Sequence, residues 1–133
     1  WRQRGDWEEN LTFGFKGRMR EISEEVRKNS MKFGFWIEAE CASEASEAVK
    51  NHPDYYLKGK ASYFLDFSRD DAREYITNKT IELVEKYNIS KVFAYNCAFD
   101  RNALTKTQRY LTKSKQYLCS FINCLRKYIV TFL

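Results

Sequence analysis

The stretch FAYNCAFDRN, Phe93 to Asn102, begins like a buried strand and runs into Asp100, with Asn102 two places further on. A carboxylate at a strand end can serve as a nucleophile or as a general acid or base, whereas the same residue in a loop is a solvated acid. Other acids share this placement. Glu38 and Glu40 close the stretch MKFGFWIEAE, and Asp66 follows ASYFL. Metal and thiol chemistry have less to work with. Cys41, Cys97, Cys119 and Cys124 show no C-x-x-C spacing, and His52 is the single histidine, so neither a zinc site nor any cofactor is expected. The cysteines read as reduced thiols of an intracellular protein, which makes the cytoplasm the expected location.

The acids need elements to position them. From Phe15, the residues Phe15, Met19, Ile22 and Val26 recur at helical spacing among charges, which predicts a helix ending near Asn29 and Ser30. Phe33, Phe35 and Ile37 alternate with Gly34, Trp36 and Glu38, which is strand periodicity. Residues 41–60 form a polar excursion with a short helical piece around SEASEAVKNHPDYY and a turn at Lys58, Gly59 and Lys60. ASYFLDFS is the next strand. Ser68 and Asp71 suggest a capping box, and Ala72, Ile76, Leu83, Val84 and Tyr87 stripe the helix after it, with Asn88 as a left-handed cap. ISKVFAYNC is a third strand, and a last amphipathic helix starts near Thr107. Strands alternating with long helices predict an α/β fold, with helices covering a parallel sheet and function at the strand C-termini.

Composition sets outer limits. The 133 residues allow one domain, and 44% apolar with 17% aromatic content suits a packed chain. The sequence opens at Trp1 without a basic-then-apolar leader, and it reads as a cut-out or processed piece. The most apolar stretch, YLCSFINCLRKYIVTFL, is broken by Asn123, Arg126 and Lys127, so no membrane partner is expected. The net charge of +5 is concentrated in residues 101–133, which hold seven Lys or Arg and no acid. Such a tail can attract nucleic acid, but a solvated helix face is the expectation.

Several stretches in one order resemble the catalytic barrel of melibiase-type α-galactosidases, glycoside hydrolase family 36. These are GDW (5–7), FGFKGRMREISEEVRKNSMKFGFWIEAE, HPDYYL and FLDFSRDDAREYI. The family shows Gly-Asp-Trp, a Gly-Leu-Lys helix start, Phe-Gly-Leu-Trp-x-Glu-Pro-Glu, His-Pro-Asp-Trp and Leu-Asp-Leu-Ser in this order. The resemblance covers roughly residues 5–92. It implies that residues 1–133 are a single segment of a (β/α)8 TIM barrel, holding about three to four β/α units of a retaining glycosidase that acts on α-galactosides or oligosaccharides.

By the same resemblance, Trp36 falls on the tryptophan that walls the sugar site. Glu38 and Glu40 fall on the two Glu of Glu-Pro-Glu, with Ala39 in place of the Pro. From the residues alone, Glu38 is equally well read as a structural acid bonded to backbone or arginine. The family's nucleophile stands in Lys-Trp-Asp-x-Asn, and this chain departs from that motif. An ungapped alignment puts Tyr95 there and a one-residue shift puts Asn96, neither of which offers a carboxylate. Matching the motif instead selects Phe99-Asp100-Arg101-Asn102, with Ala98 replacing the lysine, and makes Asp100 the nucleophile candidate and Asn102 its neighbour in the site. The family's acid/base aspartate would lie after Leu133. The chain alone is therefore expected to be inactive, and a non-catalytic remnant or interaction domain is the alternative. Self-association through exposed apolar faces is expected of an open piece of barrel.

Overall fold

The computed structural model describes residues 1–94, with backbone alone for Lys91, Phe93 and Ala94. The expected C-terminal helix, and with it Tyr95, Asn96, Asp100 and Asn102, lies outside the described residues. In chain order the elements are α1 (Met19–Lys28), β1 (Gly34–Ile37), β2 (Cys41–Ala42), α2 (Glu47–Asn51), a 3-10 turn (Pro53–Tyr55), β3 (Tyr56–Lys58), β4 (Tyr63–Leu65), α3 (Asp70–Lys86) and β5 (Lys91–Ala94).

β1 and β5 pair in parallel, Gly34 opposite Lys91 and Ile37 opposite Ala94. Parallel neighbours require a crossover, and α3 supplies it. The α/β character expected from the strand and helix alternation is therefore present in this pair. The expected parallel arrangement of ASYFLDFS is not. Its strand, β4, lies in a separate antiparallel sheet of order β2-β4-β3. The reason is local. The Gly59 N–H donates to the Ser62 carbonyl at 2.9 Å, closing a tight turn between β3 and β4, and a tight turn can join only antiparallel strands.

Helix α1 begins four positions later than the apolar spacing suggests. Lys16 and Gly17 have φ of 53° and 85°, left-handed values that a right-handed helix cannot include. The helix then starts at Met19, whose N–H is accepted by Glu9 Oε1 at 2.9 Å. Its end falls where expected. Ser30 takes φ 58°, the Ser30 N–H reaches the Arg27 carbonyl, and the Met31 N–H reaches that of Val26. This double closure satisfies carbonyls that the helix leaves unpaired.

Helix α3 repeats that ending with Asn88 at φ 52°, as anticipated, while the Ile89 N–H bonds the Val84 carbonyl at 2.9 Å. Its start differs from the expected capping box. The cap position is Arg69, and no side chain caps it. Ser68 instead donates its hydroxyl to Asp66 Oδ1 at 2.6 Å, and Asp71 Oδ1 accepts the neighbouring Ala72 N–H. The short side chains close turns on themselves before they can reach the helix end. Of the expected stripe, Ala72, Ile76 and Leu83 are buried within α3 and Tyr87 is buried just past its end, while Val84 is half-buried and Thr80 is added. Thr80 enters the core because its hydroxyl donates to the Ile76 carbonyl at 2.7 Å, so no polar group is stranded.

One core joins these pieces. Trp7, Ile37, Leu65, Phe67, Ile76, Leu83 and Val92 are each 2% exposed or less, and they come from the N-terminal loop, both sheets and α3. Each such side chain contributes about 1.5–3 kcal/mol through burial, before the entropy of ordering is counted against it.

Candidate functional site

The alternation along β1 decides what its end presents. Phe35 and Ile37 face the core at 8% and 0% exposure, so Trp36 between them faces outward, 53% exposed. Its main chain is tied down, since the Trp1 indole N–H donates to the Trp36 carbonyl at 2.9 Å. Trp1 in turn stands edge-on to Phe35 and to Trp7, with centroids 5.1 and 6.0 Å away. Beside Trp36 opens a cleft of about 320 Å³, lined mainly by aromatic rings including Trp1, Phe13, Phe15 and Phe33. An exposed ring over an aromatic-lined cleft offers a flat apolar surface, which suits the C–H face of a ring-shaped ligand.

Glu38 follows at the turn that leaves β1, where the Cys41 N–H donates to the Glu38 carbonyl at 2.9 Å. Its carboxylate is paired with Arg4, Nε to Oε2 at 2.6 Å, and its side chain is 13% exposed. The arginine reading of Glu38 therefore holds in this structure, and Arg4 is a partner that no spacing in the sequence indicated. Glu40 is buried, and its carbonyl accepts the Leu65 N–H at 2.8 Å, which joins the end of this turn to β4. Asp66 behaves as a loop acid, accepting both the N–H and the hydroxyl of Ser68.

The loop of residues 1–9 holds this arrangement together. Gly5 has φ 101°, and a Cβ there would stand 2.7 Å from the Ala42 Cβ, so the motif needs glycine for both conformation and space. Asp6 Oδ1 accepts the Ala48 N–H at 3.0 Å, which secures the start of α2, while Ser46 Oγ accepts the Val49 N–H at 3.2 Å. Trp7 takes φ 53° and is buried. Glu9 secures the start of α1, as described above. Two acids of one loop thus cap two helices. The only hint of this in the sequence is that Asp6, Glu8 and Glu9 lie close together after Gly5.

The electrostatics of the neighbourhood come mostly from burial. Tyr56 on β3 is 8% exposed, and its phenol is pushed well above its ordinary value, first by burial and then by Tyr75 and Asp6. Among the described residues no group of three or more His, Cys, Asp or Glu could hold a metal ion. Among them, too, no helix is long and apolar enough to cross a membrane.

Comparison with known proteins bears on what this arrangement serves. The melibiase family model matches residues 2–131. A bifunctional alpha-galactosidase/sucrose kinase of Mediterraneibacter gnavus is 30% identical over 96 residues, covering 66% of this chain and 10% of that protein. Alpha-galactosidase AgaA of Geobacillus stearothermophilus is 34% identical over 86 residues, covering 56% of this chain and 11% of that protein. The chain therefore spans about a tenth of the length of these relatives. In fold it resembles the α-galactosidase of Thermus thermophilus solved with stachyose, with a TM-score of 0.72 at 16% identity over 98% of this chain and 30% of that one. The family 36 α-galactosidase AgaB of Geobacillus stearothermophilus gives 0.68 at 23% identity over 98% of this chain and 20% of that one. With the family match running almost from end to end, this chain belongs to the melibiase family.

Proposed function

We propose that the chain is a segment of the catalytic domain of an α-galactosidase-like retaining glycoside hydrolase, with β1 and β5 as neighbouring strands of a (β/α)8 barrel. The observation that carries this is the parallel register of the two strands. It sets Ile37 beside Ala94, so both strands end on the same side, where Trp36 is exposed and Glu38 follows. In barrels of this kind the chemistry stands at strand C-termini. Trp36 is then the wall for the apolar face of a sugar. Glu38, oriented by Arg4, is the hydroxyl-side acid. Asp100 is the nucleophile candidate beyond β5, with Asn102 beside it in the site.

In a retaining reaction one carboxylate attacks the anomeric carbon to form a glycosyl ester, and a second protonates the leaving oxygen and then takes a proton from water. Relatives of this fold have been solved with stachyose and with raffinose. Terminal α-galactosyl residues are accordingly the substrate we propose for the parent-length protein. Because this chain offers one nucleophile candidate and the reaction needs two carboxylates, we expect the isolated chain to be inactive.

In a parent-length protein, Asp100→Asn is expected to lower hydrolysis of an aryl α-galactoside by a factor of about 10,000 or more. An unchanged rate would remove Asp100 from the site. A second reading, a non-catalytic remnant or interaction domain, is favoured by Ala98 standing where the family has lysine. It also draws on the exposure of Leu11, Phe13 and Met31, apolar side chains through which self-association is proposed. Galactose that leaves the thermal transition of the chain unmoved, together with a mass that rises with concentration, would favour this second reading.

A further inference from the structure

The ion pair at the end of β1 is lopsided. Glu38 is its sheltered member, 13% exposed and with Oε2 buried, whereas the Arg4 side chain is 43% exposed. Arg18, Arg20 and Arg69 pair instead with exposed carboxylates close by in sequence, the ordinary solvated arrangement. Arg4 crosses from the N-terminal loop to the strand end, and it is held at both of its own ends. Its carbonyl accepts the Ser43 N–H at 3.0 Å, and Gly5 directly after it is pressed against Ala42. Its Nε stands 2.6 Å from Glu38 Oε2. A guanidinium carries five N–H groups, yet this ion pair is the only polar partner of the Arg4 side chain among the described residues. Its Nη groups are thus held in place and unused, at the strand end that also exposes Trp36.

We propose that Arg4 is a substrate-binding residue, whose Nη groups donate to hydroxyl oxygens of the sugar that lies against Trp36. The inference rests on the glycosidase reading above and adds a contact to it. Hydroxyls fit better than an anion. Glu38 already neutralises the guanidinium, so no net charge is left to draw a carboxylate or a phosphate, while each remaining N–H can still serve a neutral oxygen. A side chain fixed beforehand also loses less freedom when the ligand arrives. Glu38 then has a second task, since it is the group that holds the guanidinium in place.

The test compares Arg4→Ala and Arg4→Lys with the unaltered sequence in a parent-length protein. Lysine keeps a cation for Glu38, which guards the fold, but one ammonium lacks the planar fork that serves a carboxylate and a sugar together. Hydrolysis is measured on p-nitrophenyl α-D-galactoside and on its 2-, 3-, 4- and 6-deoxy analogues, with far-UV circular dichroism as the check on folding. Arg4→Lys should keep the spectrum and lower kcat/KM on the unmodified glycoside at least about tenfold, the loss expected for a hydrogen bond from a charged group. For at least one deoxy analogue that loss should vanish, because the oxygen Arg4 serves is already missing. Unchanged kcat/KM in both variants, an equal loss on every glycoside, or a lost folded spectrum in both variants would each overturn the proposal. The last two are what a purely structural arginine gives. Failure of the glycosidase reading shows separately, in an unaltered parent-length protein that hydrolyses none of these glycosides, and it takes this contact with it.

Discussion

The two sheets differ in how much chain must be ordered to form them. The β2-β4-β3 sheet is assembled from residues 41–65, and its central pair is closed by the turn at Gly59. The β1–β5 pair joins residues 34–37 to residues 91–94, so everything between, α3 included, must be placed before the strands meet. Local pairing has a small loop-closure cost, whereas distant pairing gains its hydrogen bonds late. Yet the two sheets share one core, since Ile37 and Val92 from the parallel pair lie in the same cluster as Leu65 and Phe67 beside the antiparallel sheet. A strand's own pattern says that it is a strand. The partner is chosen by whether a turn or a helix comes next.

Ile37→Ala and Leu65→Ala test that shared core most severely. Each should cost about 2–5 kcal/mol and lower a single transition seen alike by near-UV and far-UV circular dichroism. If Leu65→Ala melts one sheet while the tryptophan signal keeps its original midpoint, the sheets are separate units. Gly5→Ala, at the loop that bridges them, should cost about 1–3 kcal/mol because both the left-handed φ and the Ala42 contact resist a Cβ. Gly14→Ala is its control. With φ 68° and nothing within 4 Å, it carries the backbone penalty alone, about 1 kcal/mol. Thermal melts of the two variants, compared directly, separate space from conformation.

A smaller effect concerns pH and the antiparallel sheet only. The Tyr56 phenol is raised in the folded chain by burial, so the folded state holds its proton longer than the unfolded state does. Stability from this residue is complete below the unfolded value of about 10 and falls as pH rises beyond it. Tyr56→Phe should flatten that alkaline loss in denaturation midpoints, and an unaltered slope would remove Tyr56 as its cause. Smallest of all is Lys58→Ala. Lys58 and Glu44 pair at 3.2 Å with both side chains largely exposed, and no measurable shift in Tm is expected.

Strand alternation and the helix ends at Ser30 and Asn88 were legible, because those signals are local. The alternation of Phe35, Trp36 and Ile37 foretold a strand, and Asn88 foretold the end of α3. The start of α1 was not legible, because apolar spacing carries no record of φ, and Lys16 and Gly17 turn left-handed before the helix begins. The capping role expected of Ser68 failed to a nearer competitor, Asp66. In the candidate site Trp36 and Glu38 were named from the sequence, while Arg4 and Glu9 were not. Their partners lie on other elements, and no short-range pattern connects them.

By itself the sequence determined α1, β1, β4, α3 and β5 and the family, since these rest on neighbouring residues and on motifs in a fixed order, but it did not show β2 or β3. The antiparallel direction of β4 follows from the local turn at Gly59, whereas tertiary structure alone decided that β5 lies beside β1. It also decided that one loop caps two helices while leaving one of its carboxylate oxygens buried with no hydrogen-bond partner among the described residues. The physical reason is common to all of these. Each is settled by which groups meet after the chain has folded back on itself, where burial makes a missing partner costly and a found one decisive.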